Sequence, residues 1–203
     1  MSLIRNPKSE IRNRIIYPVI LAVPEKDRQL SGREKVAGLS RHARRALEIS
    51  AQKSGIALID LQKDEKGAPL PVNGNYWSLT HKPQYVGGVV AAGRIGIDIE
   101  KIRSCSEALF KKTADDSEWS LADTDRFTLF FRYWTSKECV LKAAGIGIRD
   151  LSKCRIVKVV EDNNLVVNYD GKLWQVEHTF FDGHIASIVK NGCEIQWTIM
   201  MNS

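Results

Sequence analysis

Cysteine is scarce and badly placed for chemistry: Cys105, Cys139, Cys154 and Cys193 stand far apart, with no Cys-x-x-Cys pair. That spacing argues against a thiol-ligated zinc site and a disulfide-stapled scaffold, so reduced thiols and a cytoplasmic protein are expected. No apolar run reaches eighteen residues. Ile15 to Val23 is too short to span a bilayer and lacks a signal-peptide cleavage pattern, which leaves it as a first buried strand and no membrane association expected. A Gly-x-Ser-x-Gly elbow is missing, against a Ser-His-Asp hydrolase. Zinc-finger spacing and double-stranded-RNA or RRM signatures are also missing.

What is present is ordinary soluble composition, 43% hydrophobic and 27% charged in 203 residues, enough for a sizeable core. The formal net charge of +6 favours an anionic partner. Arg28, Arg33, Lys35, Arg41, His42, Arg44 and Arg45 form a basic patch on helical sequence, interrupted around Gly38 to Ser40. No aromatic residue interleaves the patch to stack bases, so nucleic acid is not the expected partner.

The centre of the chain is Gly96-Ile97-Asp98-Ile99-Glu100. On a strand, alternation sends Asp98 and Glu100 to one face and the isoleucines to the other. Two such carboxylates are either a solvated acidic edge or hard oxygen ligands for Mg²⁺ or Mn²⁺. A second stretch, Phe130 to Ala144, has helical apolar spacing and stops at Gly145 and Gly147. Glu138 and Lys142, four apart, share a face, either as a surface pair or as part of a site.

Gly96-x-Asp98-x-Glu100 and Trp134-Thr135-x-Lys137-Glu138-x-x-x-Lys142, with Trp77-Ser78-Leu79-Thr80-His81 upstream, resemble in order and spacing the signatures of the 4'-phosphopantetheinyl transferase superfamily, Sfp-type branch. The resemblance implies an α+β fold of two similar halves, 1–101 and 102–203, related by a pseudo-twofold axis, with the active site in the cleft between them and a monomeric enzyme. It implies Mg²⁺-dependent transfer of the 4'-phosphopantetheine arm of coenzyme A to a serine of an apo acyl or peptidyl carrier protein, releasing 3',5'-ADP; Mn²⁺ is an alternative metal. A non-catalytic nucleotide- or nucleic-acid-binding protein is the alternative. By the same resemblance Asp98, Glu100 and Glu138 hold the metal. Glu138 is the candidate base, Lys142 or Lys137 assists the leaving phosphate, and Thr80 and His81 bind a phosphate oxygen, His81 with charge assistance if protonated. Arg41, Arg44 and Arg45 are the candidates for the 3'-phosphate and diphosphate. Ala68 stands where the family's Gly-Lys-Pro loop has lysine, and Lys66 is the substitute considered. An acid from Asp115, Asp116 and Glu118 is expected to serve near the active site.

The remaining pattern is mixed. Met1 to Asn13 reads as a loose end, Ser31 and Ser40 as helix caps, and Ile56 to Leu61 as a short strand. Tyr76 to Thr80 and Val86 to Ala92 read as strands, Ser106 to Leu121 as helical, and Asp125 to Ala144 as a long helix. Strands then follow at 154–160, 165–169, 173–180 and 184–189, with turns at Asp170-Gly171 and Asp182-Gly183 and an edge strand within 193–200. This predicts a meander packed on the long helix, hence α+β.

Overall fold

The computed structural model describes residues 15–65 and 67–201, without the side chains of 148 and 149. The expected loose end at 1–13 and the candidate Lys66 lie outside the described residues. The fold is α+β, with two main sheets of four and five strands.

The first apolar run makes two short strands, β1 (Ile15–Ile16) and β2 (Val19–Ala22), rather than one. Pro18 lies at the break, where its missing N–H interrupts a ladder. A turn of helix, α1 (Glu25–Arg28), leads to α2 (Gly32–Ser54). The expected break at Gly38 to Ser40 does not occur. Leu39, Ala43, Ala46, Leu47, Ser50 and Ala51 form an unbroken buried stripe, and its packing outweighs the roughly 1 kcal/mol that an interior glycine costs. Ser31 precedes the helix but makes no side-chain capping bond. At the other end Gly55, at φ 64°, lets the Ile56 N–H reach the Ala51 carbonyl at 2.9 Å, a Schellman ending.

The strand expected at 56–61 is irregular. Ile56, Leu58 and Leu61 pack against Leu47, Trp77 and Val90, but among the described residues of 56–75 the strand-type pairing is limited to the isolated bridges Lys63 to Pro69 and Val72 to Asn75. Next come β3 (Tyr76–His81), β4 (Tyr85–Ala91) and β5 (Ile97–Lys101). The helical stretch after them divides into α3 (Glu107–Thr113) and α4 (Asp116–Trp119). Helix α5 (Arg126–Ala144) starts at Asp125, whose carboxylate accepts the Thr128 N–H at 2.8 Å, and ends at Gly145, at φ 75°.

A 3₁₀ segment, Ile148–Lys153, leads into β6 (Arg155–Glu161), β7 (Asn164–Tyr169), β8 (Lys172–Phe181) and β9 (His184–Val189). The expected meander is present. Its Asp170-Gly171 and Asp182-Gly183 turns have φ of 52° and 71°, and 43° and 66°, the positive pairs of tight hairpins. The last apolar stretch splits into β10 (Glu194–Ile195) and β11 (Thr198–Met200).

Sheet order is β11-β2-β4-β3 and β5-β9-β8-β7-β6, with β1 and β10 as a separate pair. Strand β5 thus joins the second sheet and β11 the first, so the break placed between 101 and 102 does not coincide with the break between sheets. Helix α2 lies on β4, β3 and β2, and α5 on β9 and β5. Among the described residues no helix is long and apolar enough to cross a membrane.

Candidate active site

Three elements meet at one depression of about 340 Å³. The end of β3 and its turn bring Thr80, His81 and Lys82; β5 brings Asp98 and Glu100; α5 brings Trp134, Glu138 and Lys142. Gly96 sets the approach. A Cβ there would lie 1.9 Å from the Cys139 carbonyl oxygen and 2.8 Å from the Ala143 nitrogen, so only glycine lets the entry to β5 lie against the α5 backbone. Asp98, two residues along the strand, and Glu138, beside Cys139, are carried together by that contact. The Ile97 N–H also donates to Ser78 Oγ at 3.3 Å, tying β5 to β3.

Asp98 is 3% exposed, which removes the solvated-edge alternative. Its Oδ1 accepts from Thr80 Oγ1 at 3.0 Å and from Lys142 Nζ at 2.8 Å. Lys142 Nζ also donates to the Ile97 carbonyl at 2.9 Å. Glu100 Oε1 accepts from Lys82 Nζ at 2.6 Å. Burial alone would lower the Lys82 pKa, yet Asp98, Glu100 and Glu138 outweigh it and hold the pKa above the ordinary 10.5. Burial and then the charge of Asp98 raise Glu138, against the pull of Lys142 and Lys82. Much of His81 reaches solvent, but enclosure of its ring and the charges of Lys142, Lys82 and Lys63 hold its pKa below the ordinary 6.5. The ring is therefore neutral near pH 7, and the charge assistance considered for it is absent without a ligand.

Among the described residues, no three His, Cys, Asp or Glu side chains already converge as a metal cluster. Asp98 and Glu100 are instead paired with Lys142 and Lys82. Even so, among the described residues Asp98 Oδ2 and Glu138 Oε1 are buried without a hydrogen-bond partner, a costly state for such oxygens that a hard cation would relieve. The donor set therefore fits Mg²⁺ or Mn²⁺.

Beside this depression lies a second cavity of about 250 Å³, which shares Leu79, His81 and Lys142 with it and reaches Ser40, Ala43, Lys63 and Ala68. The α2 face on that cavity carries Ser40 and Ala43, one residue short of Arg44. Arg45 pairs with Glu48 at 3.1 Å on the exposed side, and Arg41 and Arg44 are likewise exposed. Lys63 sits with Ala68 in the cavity wall, a cation near the position where the expected lysine is replaced.

Lys137 is not part of the depression. It is 1% exposed, its Nζ lies 2.7 Å from Glu118 Oε1 and donates to the Thr113 carbonyl at 2.6 Å. The pattern Lys-Glu-x-x-x-Lys puts Glu138 and Lys142 on one helix face and Lys137 on another, where it meets Glu118. Of the acids at 115, 116 and 118, Glu118 is the one that meets Lys137. It also accepts the Ile156 N–H at 2.7 Å and closes a capping box with Asp115. The Asp-x-x-Glu spacing was the signal for it.

Two further groups escaped sequence reasoning. Thr135 Oγ1, at the small hydroxyl position of the motif, lies 2.5 Å from Ser187 Oγ, and that oxygen lies 2.8 Å from His178 Nδ1. Ser187 pairs directly with Asp98 across β5 and β9, so the hydroxyl chain clamps α5 to the sheet beside the carboxylate. Lys82 carried no motif and was invisible without tertiary structure.

Residues 94–189, which include Asp98, Glu100, Glu138 and Lys142 of this acidic-basic cleft, match the model of the 4'-phosphopantetheinyl transferase superfamily. Similar proteins include the 4'-phosphopantetheinyl transferase HetI of Nostoc sp., 44% identical over 69 residues, covering 31% of this chain and 29% of that protein. The 4'-phosphopantetheinyl transferase gsp of Aneurinibacillus migulanus is 28% identical over 91 residues, covering 43% and 38%. A Haemophilus influenzae protein, named provisionally as such a transferase, is 29% identical over 136 residues, covering 61% and 57%. The chain thus spans between roughly a third and just over half the length of these relatives. Each is a likeness over part of the chain.

Proposed function

We propose that the chain is a Mg²⁺-dependent 4'-phosphopantetheinyl transferase of the Sfp type, moving the phosphopantetheine arm of coenzyme A to a serine of an apo carrier protein. The observation that carries this is the meeting of Asp98, Glu100, Glu138, Lys142 and His81 in one depression, with buried oxygens of Asp98 and Glu138 left unpartnered. The two sheets, each covered by a long helix, support a pseudo-twofold pair of halves with this cleft between them.

With Asp98, Glu100 and Glu138 as ligands, Mg²⁺ or Mn²⁺ would supply neutralisation of the diphosphate and polarisation of the phosphorus. Glu138 takes the serine proton, directly or through a water it orients. The serine oxygen bonds to the β-phosphorus, the bond from that phosphorus to the bridging oxygen breaks, and 3',5'-ADP leaves with the electron pair. Lys142 stands at the cleft to neutralise the leaving phosphate. Thr80 and His81 hold phosphate oxygens, Lys63 lines the adjoining cavity, and Arg41, Arg44 and Arg45 are the candidates for the 3'-phosphate. A carrier that is small, helical and acidic suits an enzyme of net charge +6. A cytoplasmic monomer completes the proposal.

Incubation with coenzyme A, Mg²⁺ and a panel of apo carriers should add the mass of one phosphopantetheine arm, and chelation should abolish it. Asp98→Ala, Glu100→Ala and Glu138→Ala should each slow transfer by at least about two orders of magnitude. Full transfer in chelator would remove the metal from the mechanism, and no mass gain on any carrier would remove the function.

A further inference from the structure

The lysines of the depression are already in use. Lys82 Nζ is 2.6 Å from Glu100 Oε1, and Lys142 Nζ is 2.8 Å from Asp98 Oδ1 and 2.9 Å from the Ile97 carbonyl. An ammonium has three protons. Lys142 spends two on these oxygens, whereas Lys82 spends one on Glu100 and keeps two for a ligand in the same depression. Its backbone is fixed, because the Lys82 N–H donates to the Tyr85 carbonyl at 2.8 Å in the turn between β3 and β4. The side chain is 31% exposed, open enough to meet a ligand and enclosed enough for its charge to matter.

Charge decides what the depression accepts. Asp98, Glu100 and Glu138 as carboxylates, set against Lys82 and Lys142, leave a single negative charge. A bare divalent cation overshoots to a positive site and must compete with ammonium groups for Glu100 and Asp98. A divalent cation that arrives with the two negative charges of a diphosphate leaves the balance unchanged, and the spare ammonium protons then meet phosphate oxygens.

Resting on the transferase reading above, we propose that Lys82 is a diphosphate-binding residue which, by holding Glu100, makes metal uptake by the empty site weak and ties it to arrival of the cofactor. Metal and coenzyme A then each tighten the other by the same factor, as linkage demands. Lys82 belongs to none of the sequence signatures that carry the resemblance, so this coupling is a property of this chain's own side chain.

The test measures binding by calorimetry: Mn²⁺ alone, and coenzyme A at saturating Mn²⁺, to wild type, Lys82→Met and Lys82→Arg. Lys82→Met should bind Mn²⁺ alone about tenfold more tightly, because Glu100 is released, and coenzyme A about tenfold more weakly, the scale of one charge-assisted contact. Lys82→Arg keeps the charge and should stay close to wild type in both. If Lys82→Met is insoluble, Lys82→Gln carries the same expectation. Affinities unchanged in the neutral variant, or both shifted in the same direction with a lowered melting temperature, would reduce Lys82 to a structural tie between β3 and β5. Wild type that binds coenzyme A normally under that outcome leaves the transferase reading standing. Wild type that binds no coenzyme A at saturating Mn²⁺ overturns both.

Discussion

Glu138 serves the site at a cost to the fold. Burial and Asp98 raise its pKa above the ordinary 4.5, so the folded state holds its proton more tightly than the unfolded chain. Below pH 4.5 both states are protonated and the full contribution to stability is present; it is lost as pH rises through the raised folded value. Glu138→Gln removes that loss. In metal-free buffer its melting temperature should gain on wild type from about pH 4.5 upward, then stay level once Glu138 is fully ionised. A gap that does not change with pH would show that the carboxylate carries no penalty. Asp98 has partners of its own. Thr80 and Lys142 already satisfy one of its oxygens, so the two neighbouring acids are not simply a repulsive pair waiting for relief.

At the level of elements, the geometry of the site depends on how closely α5 approaches β5. Gly96 permits a contact that any side chain would fill with atoms already occupied by the helix backbone, and backbone cannot step aside as a flexible side chain can. Gly96→Ala should therefore destabilise the protein by about 1–3 kcal/mol, the range for overpacking, and slow transfer further by separating Asp98 from Glu138. Gly93→Ala is the control, since a Cβ there meets nothing within 4 Å. Urea unfolding of both variants checks the difference; equal midpoints would mean that the helix shifts freely and that the approach does not set the site. The Thr135–Ser187–His178 chain reinforces the same contact from below.

Across the whole molecule apolar clusters join the two sheets. Ile97 of β5 clusters with Val89 of the first sheet and Ile188 of the second, and Ile99 does so with Ile20 and Ala186. Tyr85 of β4 donates to Asp182, in the turn between β8 and β9, at 2.6 Å. With β5 and β11 exchanged between sheets, the halves should unfold together. Single-tryptophan variants that keep either Trp77, on β3, or Trp174, on β8, should report the same urea midpoint. Two separated midpoints would show that each half stands alone.

Local chemistry determined the meander, the long helix ended by Gly145 and the tight Asp-Gly turns, because strand alternation, helical spacing and positive φ act over a few residues. The motif residues Asp98, Glu138 and Lys142 were legible for the same reason, through spacing that the resemblance made specific. Other outcomes needed distant partners. The continuity of α2 through Gly38 came from its buried stripe, and the exchange of β5 and β11 from which sheet edge each strand could complete. Lys137 left the cleft because Glu118, nineteen positions earlier in the chain, gave its charge a buried partner, while Lys82, without a motif, entered it because β3 ends beside Glu100. A charge finds its partner through space, and only the packed chain fixes which carboxylate is near.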